Sequence, residues 1–184
     1  MKYLLDGQST DRLLFRKIDI ADFHEWLKFF QDSRTSLHWI EEKISPELSC
    51  NSWYQKQQWR YENDRGGMNA LIEKNTSRLI GHAGLLVQRV DGVPELEIGY
   101  SLLPEFWNKG YATEAAQECK RFAFQNNLAD SLISIISLTN TPSQQVALKN
   151  GMSVLKQTTY RDNNVSIYRI TKAEWLQSQP LIRK

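Results

Sequence analysis

The spacing of apolar and polar positions changes period several times along the chain, and each change marks an element. "DRLLFRKI", from about Asp11 to Ile18, alternates and predicts a short strand. "DIADFHEWLKFFQD" places Ile20, Phe23, Trp26, Leu27 and Phe30 at helical spacing, with Asp19 set to cap. "CNSWYQKQQWRYEND" predicts a second, more polar helix holding Trp53, Tyr54 and Trp59, ended by "RGG". "MNALIEK", "RLIGHAGLLVQRV" and "ELEIGYSLL" read as strands, separated by "NTS" and by the turn signal "DGV" around Asp91 and Gly92. Three consecutive strands of this kind predict an antiparallel meander. Ala115, Ala116, Cys119, Phe122 and Ala123 then form a helical stripe up to about Asn127. "SLISIISL", Ser131 to Leu138, is a continuous apolar strand of the buried kind. "PSQQVALKNG" predicts a short helix stopped by Gly151, "MSVLKQTTY" and "VSIYRI" a strand pair across "RDNN", and "TKAEWLQ" a last helical turn behind Thr171. The order is that of an α/β (α+β) protein with a mixed sheet, not a doubly wound one.

A length of 184 residues fits one domain with a substantial core, spanning 1–184. With 41% apolar and 24% charged residues, the composition is that of a soluble globular protein. The net charge of +2 and the absence of any Lys/Arg run give no sign of a nucleic-acid or anionic-membrane partner. Cys50 and Cys119 lie far apart, which argues against a disulfide framework and against a zinc ligand set. "MKYLLDGQSTDR" lacks the apolar core of a signal peptide, and no segment reaches the roughly 18–20 apolar residues of a membrane span, so a cytoplasmic location is expected.

The most unusual run is "PEFWNKGYATEA", Pro104 to Ala115, where Gly110 stands between an aromatic stretch and a helix opening with Ala112, Ala115 and Ala116. It carries neither the two spaced glycines and Lys of a Walker loop nor the three glycines of a dinucleotide fingerprint. What remains is a strand ending near Leu103, a turn, and a helix starting near Tyr111. The backbone amides of Asn108 to Ala112 then face outward at the positive helix end, which binds an anion without charged side chains. The alternative is an ordinary strand-to-helix loop.

This run resembles the acetyl-CoA-binding motif of the GNAT N-acetyltransferase superfamily, Gln/Arg-x-x-Gly-x-Gly/Ala, with Gly110 and Ala112 in place and Trp107 where the general pattern has Gln or Arg. That departure is similar to the RimJ/RimL-like ribosomal-protein branch, whose usual form is "W-x-K-G-Y-A-T-E-A". "TDRLLFRKI", "LIGHAGL" and "LEIGYSLLPEFW" resemble the branch's other strands, and "NTPSQQVALKNGM" its "N-x-x-S-x-x-V-x-x-K-x-G-F", with Asn140, Ser143, Val146, Lys149 and Gly151 in register. The likeness runs from about Ser9 to Ile170. It implies the GNAT fold: a mixed, mostly antiparallel seven-stranded sheet flanked by about four helices. The sheet is split by a V-shaped opening between the strands of Glu97–Leu103 and Ser131–Leu138. It also implies acetyl-CoA as cosubstrate, held by Leu102, Leu103, Asn108, Lys109, Gly110, Tyr111, Ala112, Thr113 and Asn140, with Gly110 making room for the pyrophosphate. No metal is implied.

Acetyl transfer needs a neutral amine, a donor for the developing oxyanion and a proton for the thiolate. An α-amine titrates near 7.7–8.0 against about 10.4 for lysine, so an N-terminal acceptor needs less help. A backbone N–H near Leu103 is the family-like oxyanion donor. Glu97 is the expected base. It shares a strand face with Gly99, Ser101 and the fallback Glu95, while Leu96, Ile98, Tyr100 and Leu102 point the other way. The bland reading of Glu97 is a solvated strand residue. Ser143 takes the slot of the tyrosine acid found in many relatives, its alternative being a helix cap. Tyr160 and Tyr168 are further acids without support. His82 and the other histidines lack metal spacing, and His82 is read as packed; Trp26, Trp39, Trp53 and Trp59 are core or cleft wall. Glu114 is read as an acid favoured by the helix dipole.

The expected acceptor is a protein N-terminal α-amine. Its rivals are a small amine (polyamine, amino acid or aminoglycoside) and a non-catalytic acyl-CoA-binding module. An acidic cleft would favour a polyamine; Glu41, Glu42, Glu47, Glu62 and Asp64 are available for one, among many bases. The chain is expected to be a monomer or homodimer.

Overall fold

The computed structural model describes residues 1–40 and 44–179. Strand β1 (Leu13–Lys17) leads through a short 3-10 turn capped by Asp19 into helix α1 (Phe23–Gln31) and then α2 (Pro46–Glu62). The meander follows as β2 (Gly66–Glu73), β3 (Leu79–Val90) and β4 (Val93–Leu102), then helix α3 (Tyr111–Gln125). Strand β5 (Ser131–Ser137), helix α4 (Thr141–Lys149), the hairpin β6 (Ser153–Tyr160) and β7 (Asn163–Thr171), and helix α5 (Lys172–Ser178) complete the chain. The strands form one seven-stranded sheet in the order β1-β2-β3-β4-β5-β7-β6. Every neighbouring pair is antiparallel except β4 and β5.

Two boundaries differ from the sequence expectation. Helix α2 starts at Pro46 rather than Cys50, because Ser45 accepts from the Leu48 N–H and proline suits the first helical turn. Gly66 and Gly67, expected only to stop that helix, open β2 instead. A Cβ on Gly66 would lie 1.9 Å from the Leu85 carbonyl oxygen, and one on Gly67 would lie 2.4 Å from the Tyr61 ring. Glycine at the two positions lets the strand lie close to the β3 backbone and to the Tyr61 ring of α2.

Alternation in the meander sorts the core into two faces. By the β3–β4 register Leu85, Ile98 and Leu102 share one face, and they pack in the core with Ala115, Ala116 and Cys119 of α3. On the opposite face His82 stands beside Ser101 and packs against α1 and α2, its ring 4.2 Å from that of Trp26 and 4.6 Å from that of Trp53. His82 is fully buried and neither ring nitrogen has a hydrogen-bond partner. It is a packed residue, as expected. Burial and the nearby Arg16 lower its pKa to about 3.

That shift has a stability consequence. Below pH 6.5 the unfolded chain binds a proton at His82 that the native chain refuses, so stability falls as pH falls, by about 1.4 kcal/mol per unit. The His82→Leu variant should lose this dependence. Urea denaturation at pH 7, 6 and 5 would show the difference between the two proteins growing stepwise; a constant difference would contradict it.

Candidate active site

Strands β4 and β5 run side by side but pair at one position, Glu97 opposite Ile133. Their proximity there is reinforced by Ser134 Oγ, which donates to the Ile98 carbonyl at 2.9 Å. Toward their C-terminal ends no ladder pair joins them, so the sheet opens between Tyr100–Leu102 and Ile135–Ser137. The opening expected from the resemblance lies between these strands.

Hydrogen-bond phase decides which backbone groups face this gap. The Leu103 N–H is committed to the Ile80 carbonyl at 2.9 Å. In an antiparallel ladder the adjacent residues turn their amides the other way, so Tyr100 and Leu102 present theirs to the gap. The Leu102 carbonyl confirms this phase by accepting from Trp107 Nε1 at 2.8 Å. Of the backbone amides near Leu103, that of Leu102 therefore faces the gap and that of Leu103 does not. The same bond accounts for Trp107, whose indole ties the following loop to the end of β4.

Beyond Trp107 the chain turns through Asn108 (φ +59°) and Gly110 (φ +82°) into α3. Gly110 is the N-cap in the left-handed region, where glycine carries no Cβ penalty. The helix has no side-chain cap, and its first internal bond runs from the Glu114 N–H to the Gly110 carbonyl at 3.1 Å. The N–H groups of Tyr111, Ala112 and Thr113 are thereby left for an outside acceptor. The loop is fastened from below. Arg12 Nε donates to Glu114 Oε2 at 2.6 Å, the Arg12 N–H to Oε1 at 3.0 Å, and Arg12 Nη1 to the Lys109 carbonyl at 2.9 Å. Burial pushes the Glu114 carboxyl up, but bonds from Thr10 and Arg12 outweigh it and hold it below the usual range. Glu114 is thus more than a dipole partner: with Arg12 it clamps the loop to β1. Arg12 was not singled out in the sequence, since nothing local marks a pair so far apart in the chain.

Glu97 is buried, not a solvated strand residue. It accepts from Gln88 Nε2 at 2.6 Å. Burial pushes its carboxyl above the usual range, opposed by the Gln88 bond, the charge of Arg60 and the Ile135 backbone amide. Its fallback, Glu95, is engaged by Arg169. Tyr160 stands near Glu97 through Gln88, whose Oε1 accepts from the Tyr160 hydroxyl at 3.1 Å. Tyr168 is buried in the core.

On the far side of the gap, Asn140 Oδ1 accepts from the Ser143 N–H at 3.1 Å. Asn140 is therefore the cap of α4, and Ser143 sits in its first turn rather than capping it. The Ser143 carbonyl accepts from the Tyr100 hydroxyl at 3.0 Å. Tyr100, assigned by alternation to the face away from Glu97, thus brings a phenol to the α4 side of the gap. Among the described residues no group of three or more His, Cys, Asp and Glu is placed to hold a metal ion, and no helix is long and apolar enough to cross a membrane.

Comparison with known proteins agrees with this arrangement. Residues 12–153 match the family model described as an acetyltransferase (GNAT) domain. An uncharacterized N-acetyltransferase, YnaD of Bacillus subtilis, is 28% identical over 144 residues, covering 78% of this chain and 81% of the relative. An acetyltransferase from Agrobacterium tumefaciens has the same fold, with a TM-score of 0.75 at 24% identity over 89% of this chain and 92% of that one. So does RimL, a ribosomal L7/L12 α-N-protein acetyltransferase solved with coenzyme A, with a TM-score of 0.72 at 13% identity over 90% of this chain and 97% of that one. The chain belongs to the GNAT acetyltransferase family and is an acetyl-CoA-dependent acyltransferase.

Proposed function

We propose that this protein transfers an acetyl group to a protein N-terminal α-amine by direct attack, with Glu97 as the base. The observation that carries the reading is the placement of a buried, charge-disfavoured carboxylate at the one point where β4 and β5 still pair, beside a gap lined by unpaired amides. Bound acetyl-CoA supplies the thioester; the chain's own residues do the rest. The amides of Tyr111, Ala112 and Thr113 hold the pyrophosphate, aided by the helix dipole, and Asn108, Lys109 and Gly110 shape its seat. Leu102 N–H donates to the carbonyl oxygen on which charge develops, and Leu103 lines the approach.

The two faces of the sheet divide the proton work. Glu97, on the α1/α2 face, takes a proton from the amine directly or through one water; its raised affinity for protons suits that task. Ser143, in the first turn of α4, carries the hydroxyl able to hydrogen-bond the leaving sulfur, the Tyr100 proton being committed to the Ser143 carbonyl, and Asn140 Nδ2 is the side-chain donor offered to the coenzyme. Preference for an α-amine rests on its lower pKa and on the branch resemblance.

A peptide carrying one free α-amine and one lysine tests the acceptor. After incubation with enzyme and acetyl-CoA, fragment masses should place the acetyl group on the α-nitrogen. Acetylation at lysine alone would contradict the reading.

A further inference from the structure

One cavity of about 560 Å³ opens beside the end of α2, between the β3–β4 and β6–β7 turns. Arg60, Arg65, Arg89 and Arg161 line it, with Trp59 and Tyr160. These four arginines stand apart from the rest. Arg12, Arg16, Arg34, Arg78, Arg121 and Arg169 each pair with a carboxylate within 4 Å, whereas among the described residues none of the four in the cavity does. The acid on the cavity wall, Asp91, is already committed to Lys156 Nζ at 2.7 Å and Thr158 Oγ1 at 2.9 Å. Clustered guanidinium groups without a carboxylate in direct contact repel one another and present forked donors suited to carboxylate or phosphate.

The cavity is wired to the base. Buried Arg60 donates through Nη1 to the Arg65 carbonyl at 3.0 Å and through Nη2 to Gln88 Oε1 at 3.1 Å. Gln88 Nε2 in turn holds Glu97. One glutamine amide therefore separates the guanidinium from the carboxylate, a reach of about two residues of extended chain. The cavity also borders Pro94, near the start of β4, whereas the coenzyme loop follows the strand's other end. An acceptor can enter there without crossing the coenzyme.

We infer that the cavity is the acceptor subsite for negative charge, so that the preferred substrate is an N-terminus followed within two or three residues by Asp or Glu. This rests on the acetyl-transfer reading above. It is the opposite of the acidic cleft a polyamine would require. Of the acids considered for such a cleft, Glu47, Glu62 and Asp64 do not line the cavity, and Glu41 and Glu42 lie outside the described residues.

Three peptides with the same N-terminal serine, followed by acidic, neutral or basic residues, test the inference. With the acidic peptide kcat/KM should be at least tenfold above the basic one, mostly through KM, and the gap should shrink with added salt. The double variant Arg89→Glu/Arg161→Glu, at two exposed positions, should reverse the order while its melting temperature holds. Calorimetric titration of the same peptides without acetyl-CoA reads the cavity independently of turnover, and should show the same order. Equal or reversed preference in the native enzyme would overturn the charge inference, while turnover of the neutral peptide would leave acetyl transfer standing. Binding of the acidic peptide with no turnover of any would overturn the transfer reading and keep the subsite.

Discussion

Replacing Glu97 with Gln should lower kcat by about 10²–10⁴-fold, the usual contribution of a positioned general base. The KM for acetyl-CoA should hardly move, because Glu97 lies on the face away from α3 and its loop. Stability should hold or rise. The native state binds the Glu97 proton more tightly than the unfolded chain does, so ionisation at neutral pH opposes folding, and a neutral amide of the same shape removes that opposition. The variant should also lose the acid limb of the kcat/KM profile that lies above the ordinary carboxylate range. A purely structural glutamate would give the reverse pattern: lower melting temperature with turnover intact. Steady-state kinetics paired with thermal melts distinguishes the two.

The second large effect is expected at the coenzyme loop. Gly110→Asp places a carboxylate at the helix end that would otherwise hold the pyrophosphate. Aspartate tolerates a left-handed backbone better than most residues, and an acid at this end of α3 suits the dipole, so the fold should survive. A Cβ at Gly110 meets the Arg12 guanidinium at 3.3 Å, the far end of a flexible side chain. Repulsion between neighbouring like charges at an effective dielectric near 20 amounts to about 2–3 kcal/mol, which would raise the KM for acetyl-CoA by roughly 30- to 150-fold. Gly110→Asn, without the charge, should lose much less. Equal losses in both would mean that backbone conformation rather than anion binding explains the glycine.

Much of this was legible in the chain. The switch from helical spacing in Phe23–Phe30 to alternation in β2–β4 marked the meander, and the apolar run of β5 marked a strand covered on both faces. The start of α2 was not, because its signal is Ser45 and Pro46 rather than an apolar stripe. At the candidate site, the proposals for Gly110 and Glu97 come from a local motif and from strand parity. What sequence could not supply is pairing at a distance. Whether Asn140 or Ser143 caps α4 depends on one side-chain rotation, and whether Leu102 or Leu103 offers its amide depends on the phase of the β3–β4 ladder. The Arg12–Glu114 clamp and the four-arginine cavity join segments that no periodicity connects.

Acetyl transfer itself is tested most directly by thiol release from acetyl-CoA with both substrates varied. Peptides with free Ser, Ala, Thr or Met N-termini would be run beside spermidine, free amino acids and an aminoglycoside. The account predicts turnover with the peptides, intersecting double-reciprocal lines for a ternary complex, and no thiol release before acceptor is added. Silence across every amine, with acetyl-CoA still raising the melting temperature, would contradict it and leave a protein that binds the coenzyme without using it.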